Sequence, residues 1–351
     1  MTVRRAIVVL VVVAAAAGIW VLVWGGPRIT VRLVPAWQLV PAHRYGGSDV
    51  VDPFVSWSPD SRSLLLSEYS RVARKAQIFR WNVGEKKLRS VTDGSSPNHL
   101  DDQTFIYLKT KPKAIYKRDI ESGSETEVLA KVKLSNFWDE VDSFTYDPER
   151  KTVALRLAKF TRRYVPGTEE YDMTGRLLGD VSTCRGENVV DCSRDPTGSK
   201  CALVVQEAEG ATASLQIADK GQHRGDTLAS GSIGAVAWST ADDLVAYAES
   251  TSVLVVRPSD GAKAIVARFD APTDKPDARY VCRLSWSPNG HYLAVLVYVS
   301  SRTGEYPLIY VLDMSSFEWD GRQSARSRND AATGHVCIGV TIHWCGVRRD
   351  T

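Results

Sequence analysis

Apolar residues recur along this chain in short runs bounded by turn-forming residues. Leu64-Leu65-Leu66, Val153-Ala154-Leu155, Cys201-Ala202-Leu203-Val204-Val205, Leu244-Val245-Ala246-Tyr247 and Leu293-Ala294-Val295-Leu296-Val297 are the clearest. Runs of this length, flanked by Pro, Asp, Asn and Gly, predict strands rather than helices.

Each run follows a related turn. Val55-Ser56-Trp57-Ser58-Pro59-Asp60-Ser61-Arg62 returns as Leu284-Ser285-Trp286-Ser287-Pro288-Asn289-Gly290-His291, and weaker copies lie between them. Their turn positions begin at His99, Tyr146, Arg194 and Trp238. Pro at the second position of a turn presets φ, and Asp or Asn is tolerated at the third, so strand, turn and strand form a hairpin. A second hairpin follows most copies, for example Gln77–Glu85 running into Lys87–Gly94. Two hairpins per unit make a four-stranded sheet, and a spacing of about 40–50 residues is that of a propeller blade. The expected fold is therefore all-β: a six-bladed β-propeller of four-stranded antiparallel blades, with seven blades as the alternative.

The Trp-Ser-Pro-Asp turn, the apolar strand after it and the Ile-Tyr/Phe strand ending in Asp-Gly-like turns resemble the TolB-type, WD-repeat-like β-propeller family. The resemblance covers roughly residues 50–320. Trp is replaced by His99, Tyr146 and Arg194, and the turn Pro is missing from the second and fifth copies. The aromatics Trp57, Tyr146, Trp238 and Trp286 are expected to pack between neighbouring blades, because large rings at one place in successive blades fill a radial core. A ligand-stacking platform is the competing reading.

Ala6–Trp24 carries no charge and no proline and follows Arg4 and Arg5. Nineteen residues at ~1.5 Å each nearly span the hydrocarbon core of a bilayer. Residues 1–25 are expected to form a signal anchor and transmembrane helix, with the N-terminus cytoplasmic and the propeller periplasmic or extracellular. A cleaved signal peptide is the alternative, given Ala14-Ala15-Ala16-Ala17-Gly18. Residues 26–50 form a linker in which Ile29–Val34 or Trp37–Val40 is expected to complete the last blade. Residues 51–320 are the propeller. Residues 321–351 are a loop and C-terminal strand, Val336–Trp344, or part of a seventh blade.

Lys and Arg total 44 against 41 Asp and Glu, so with Arg4 and Arg5 set aside the rest is close to neutral. That argues against nucleic acid as a partner. The local basic cluster Lys109, Lys111, Lys113, Lys117 and Arg118 is read as solvated blade edge, with anionic lipid heads as the alternative contact. Six cysteines in an exported chain permit disulfides. Cys192 and Cys201 flank one turn and Cys337 and Cys345 flank a C-terminal one, so each pair is a candidate disulfide; buried thiols are the alternative.

The sequence contains no G-x-S-x-G, G-x-x-x-x-G-K-[ST], G-x-G-x-x-G or H-E-x-x-H pattern, and no catalytic, cofactor or metal residue is assigned. Asp139, Glu140, Asp142, Glu187 and Asp191 are the carboxylates that a channel metal would use; ordinary blade-loop positions are the simpler reading. The expectation is a non-enzymatic binding scaffold, tethered to the membrane by its N-terminal helix, with a protein partner in the cell envelope. The alternative is a lactonase- or lyase-like hydrolase with a metal in its channel. No cofactor is expected.

Overall fold

The computed structural model describes residues 29–39, 54–70, 75–85, 88–110, 113–129, 140–147, 151–160, 164–173, 176–180, 189–206, 212–222, 224–270, 278–301 and 304–319. The expected transmembrane helix and the C-terminal stretch with Cys337 and Cys345 lie outside them. Among the described residues no helix is long and apolar enough to cross a membrane.

The first strands are β1 (Ile29–Val31) and β2 (Ala36–Leu39). One sheet follows from β3 (Phe54–Trp57), β4 (Ser63–Ser70), β5 (Lys75–Asn82) and β6 (Arg89–Asp93), and a second from β7 (Ser95–His99), β8 (Thr104–Thr110), β9 (Lys113–Asp119) and β10 (Glu125–Leu129). The third holds β11 (Glu140–Asp147), β12 (Thr152–Phe160), β13 (Tyr164–Asp172) and β14 (Leu177–Asp180). The fourth holds β15 (Val189–Arg194), β16 (Lys200–Gln206), β17 (Ala213–Asp219) and β18 (Asp226–Gly231). The fifth is β19 (Ile233–Trp238), β20 (Val245–Glu249), β21 (Ser252–Val256) and β22 (Lys263–Arg268). The sixth contains β23 (Ala278–Trp286), β24 (Tyr292–Ser301) and β25 (Gly304–Asp313), and β2 supplies its fourth strand.

Both candidate closing segments near the N-terminus are used. β2 pairs antiparallel with β25, Trp37 opposite Val311 and Leu39 opposite Ile309. β1 instead adds a fifth, parallel strand to the fifth sheet, Val31 opposite Ile265. The first strands of the sheets meet one another: β3 lies against β7, β7 against β11, β15 against β19, β19 against β23, and β23 against β3. These are blades of a propeller-type fold, with the first strand of each innermost.

The repeated phrase works through its serine. In the first blade Ser58 N–H donates to Ser63 O at 2.8 Å, closing the hairpin, and Ser63 N–H donates back to Ser58 Oγ at 2.9 Å. Ser58 Oγ donates in turn to Asp60 Oδ1 at 2.6 Å, and Arg62 N–H donates to the same oxygen. The sixth blade repeats the set with Ser287, Asn289, His291 and Tyr292. In the fourth blade Asp195 takes the serine's place, accepting from Lys200 N–H at 2.9 Å. The turn then needs a left-handed residue, met by Ser61, Lys151, Gly198 and Gly290. At Gly290 an added Cβ would also sit 2.9 Å from Ala241 Cβ, so the neighbouring blade enforces the glycine.

Second strands are buried on both faces, which explains unbroken apolar runs in an antiparallel fold. Leu64 and Leu66 pack with sixth-blade residues, whereas Leu65 packs with Phe105 and Tyr107 of the second. Leu293, Val295 and Val297 face the fifth blade, and Ala294 and Leu296 face the first. The apolar core therefore lies mostly between sheets, where each blade covers its neighbour's face.

Candidate functional site

The innermost strands carry most of the polar chemistry near the axis. The residue before each repeat aromatic is usually polar, and the structure shows its use. His99 N–H donates to Ser56 Oγ at 3.1 Å, Tyr146 N–H to Asn98 Oδ1 at 3.3 Å, and Trp238 N–H to Ser193 Oγ at 2.8 Å. Each bond joins one blade to the next. Ala237 has no such group; there Trp286 donates its indole N–H to Ala237 O at 3.1 Å. This clasp was not foreseen from the sequence, although a polar residue ahead of each aromatic was the available signal.

Trp57, Trp238 and Trp286 are buried, and each lies in a cluster that includes the preceding blade: Trp57 with Leu296 and Val311, Trp238 with Ala202 and Val204, Trp286 with Ala246 and Val255. Tyr146 is half-buried against Ile106 and Leu108 of the second blade. Trp57 stacks on Tyr292 with ring centroids 5.8 Å apart and meets Trp81 edge-on.

His99 occupies the aromatic position of the second blade and is buried. Burial pushes its imidazole down to about 4, with the charge of Arg80 acting in the same direction and the carbonyl of Asp101 opposing. It is neutral at pH 7.

The bulges gather at one end of the inner strands. Register shifts fall between Ser95 and Asn98, Val141 and Ser143, Val189 and Asp191, Ile233 and Ala235, and Val281 and Arg283. Four of these sit four residues before the repeat aromatic. Bulges re-aim side chains and end regular pairing. Beside one of them Asp191 accepts from Val236 N–H through Oδ2 and from Cys192 N–H through Oδ1, both at 2.9 Å. Burial raises the proton affinity of this carboxylate; the two backbone donors and the charge of Arg283 pull against it. Because Asp191 bonds Val236 while Ser193 bonds Trp238, the inner strands β15 and β19 run in the same direction and begin at the same end. At that end Val190 is exposed, and Tyr280 is exposed beside Tyr298, the two rings stacked with centroids 5.5 Å apart. Arg279 Nε and Nη1 are buried there without an acceptor among the described residues.

Among the described residues no group of three or more His, Cys, Asp or Glu comes together that could hold a metal ion. Of the carboxylates singled out from the sequence, Asp139 and Glu187 lie outside the described residues, as do the side chains of Glu140 and Asp142. Asp191 is taken up by the clasp to the fifth blade.

The register corrects the expectation that Cys192 and Cys201 face each other. Cys192 stands opposite Leu203 and Cys201 opposite Arg194. The two are diagonal neighbours on one face, about 7–8 Å apart for such a pair, at the outer limit for a disulfide. The basic cluster of the second blade is also less available than its sequence implies. Glu125 accepts from Tyr107 Oη at 2.7 Å, from Lys109 Nζ at 3.0 Å and from Arg118. Hydrogen bonds from these three groups outweigh burial and hold its carboxyl down at about 2.

No family model matches the sequence, and no curated protein matches it either. Among solved structures, the chain is similar to an oligogalacturonate lyase in complex with manganese, at 12% identity and a TM-score of 0.52, over 82% of this chain and 98% of that one. TolB from Acinetobacter baumannii aligns at 15% identity and a TM-score of 0.44 over 74% of this chain; this chain spans 63% of TolB. A gluconolactonase from Xanthomonas campestris aligns at 11% identity and a TM-score of 0.48, over 82% and 97% of the two chains. At these identities the likeness reaches the fold and no further.

Proposed function

We propose that this chain is a six-bladed, TolB-like propeller, tethered to the membrane by Ala6–Trp24, that works outside the cytoplasm as a non-enzymatic binding scaffold. The six sheets among the described residues support six blades. The uncharged run behind Arg4 and Arg5 supports the tether and its orientation.

One observation carries the binding reading. At the end where the inner strands begin, Val190 and Tyr280 are exposed, and the Tyr280 ring lies stacked on the buried Tyr298. Tyr is among the residues enriched where proteins recognise one another, since it combines a rigid apolar plane with a hydrogen-bonding hydroxyl. Ser56, Asn98, Asp191 and Ser193, by contrast, are committed to holding blades together.

The test is crosslinking and reciprocal capture of the full-length protein from its own membranes, with mass spectrometry of the bait's N-terminus. An intact Met1–Trp24 segment and a partner whose recovery drops at least tenfold in Val190→Ala/Tyr280→Ala would support the scaffold. Stoichiometric calcium or manganese in the purified protein, with melting that falls on chelation, would favour the enzyme reading instead.

A further inference from the structure

Strand β1 leaves an apolar strip on the outer rim of the fifth blade. Ile29, Val31 and Leu33 are 52%, 56% and 47% exposed. They alternate with Thr30, Arg32 and Val34, as side chains on one face of an extended segment must. The N–H groups of Arg32 and Val34 donate to Ile265 O and Val266 O at 2.9 and 3.0 Å, so the N–H of Leu33 between them points away from the sheet. Val34 packs against the cluster shared by the fifth and sixth blades. Val31 stands opposite Ile265, which, like Leu228 and Ala229, packs against the cluster of the fourth and fifth blades. The strip thus continues that cluster outward past the rim, beyond the point where any described strand covers it.

We infer that this strip rests in the interfacial layer of a lipid bilayer, and that the propeller lies with the rim of its fifth blade on the membrane. The inference rests on the tether proposed above. The uncharged run ends at Trp24, and only Gly25, Gly26, Pro27 and Arg28 separate it from Ile29. Fully extended, the five steps from Trp24 to Ile29 cover at most about 17 Å. The headgroup region on each side of the hydrocarbon core is itself about 5–8 Å deep. The start of β1 is therefore held within a short distance of the lipid, and the apolar face it presents there is one that water solvates poorly and a bilayer interface accepts. This geometry turns the side of the propeller, not either end of its axis, to the membrane. The end carrying Val190, Arg279 and Tyr280 stays open sideways.

The experiment places the photocrosslinking residue benzoylphenylalanine, one position at a time, at Leu10, Val31, Leu33 and Leu178 of the full chain in vesicles of phosphatidylethanolamine and phosphatidylglycerol. Leu178 is an exposed residue on the outer strand of the third blade and serves as a rim control. Lipid adducts at 10, 31 and 33, several-fold above those at 178, are the expected result, and Val31→Glu should reduce the adducts at 33. Adducts at 10 with none above control at 31 and 33 overturn the inference while leaving the tether standing. Adducts at 31 and 33 to a second copy of the chain also overturn it, making the strip a self-association edge. Failure at 10 as well removes the tether and the inference together.

Discussion

The indole N–H of Trp57 donates to the carbonyl of Ser285, 228 positions later in the chain, at 3.1 Å. The bond joins the first blade to the sixth. It repeats the bond between Trp286 and Ala237 that joins the sixth to the fifth. The ring and the N–H do separable work, and substitution can separate them.

Trp286→Phe keeps most of the buried ring and removes only the hydrogen bond, leaving Ala237 O short of a donor; the expected cost is about 1–2 kcal/mol. Trp286→Ala removes the ring as well and should cost about 3–5 kcal/mol. Urea denaturation of the two variants measures the difference. Equal losses would show that the packing contributes little.

Ser287 is fully buried and bonds both strands of its hairpin. Ser287→Ala leaves Tyr292 N–H without its acceptor, and a loss of about 1–3 kcal/mol is expected. Asp195 fills the same role in the fourth blade, so Asp195→Ser should be milder, about 1 kcal/mol or less. Thermal melting of both variants, compared at the same pH, decides whether the two residues are interchangeable clamps.

His99 makes the fold sensitive to acid. Its folded-state pKa is depressed from 6.5 to about 4, so between those values the unfolded chain binds a proton that the folded chain refuses. Stability is full above about pH 6.5 and falls as pH drops toward 4, by up to about 3 kcal/mol. His99→Phe should flatten that part of the pH–stability curve. An unchanged slope between pH 6.5 and 4 in that variant would assign the acid sensitivity elsewhere.

Glu125 acts in the next window down. Its carboxyl is held from the ordinary 4.5 down to about 2 by the groups of Tyr107, Lys109 and Arg118. The stabilisation is present above pH 4.5 and disappears as pH falls through 2. Glu125→Gln should cost about 2 kcal/mol at pH 7 by leaving Lys109 and Arg118 without their carboxylate, and much less at pH 2. Chemical denaturation at the two pH values reads this directly.

The hairpins, their spacing and the inner aromatics were legible because each is local. Ser58-Pro59-Asp60 encodes its own turn, and Leu64-Leu65-Leu66 announces a strand; that it is covered on both faces comes from the fold. Pairings between distant segments were less so. Nothing in Ile29-Thr30-Val31 specifies a parallel partner at Lys263–Ile265, and Ala36–Leu39 could be matched to the last blade only by analogy with other closed rings. The opposition expected of Cys192 and Cys201 failed because the turn between them sets the register, and it places Arg194, not Cys192, opposite Cys201. The second-blade lysines and arginine read as a basic surface because Glu125, which binds Lys109 and Arg118, lies on a different strand from both. At the candidate binding end, Val190 and Tyr280 carry no sequence signal: their interest comes from exposure, which only a fold reveals.

The sixth blade takes one strand from near the beginning of the chain and three from near its end. Its first-made strand, β2, therefore has no partner until the ribosome has synthesised β25. At ~5–20 residues per second that delay is on the order of 10–50 s. Throughout it, the nascent chain holds one half of an unpaired sheet edge, which is a template for wrong partners. Pairing β2 with β25 covers that edge, and it makes the arrival of β25 the moment at which the sixth sheet either completes or aggregates.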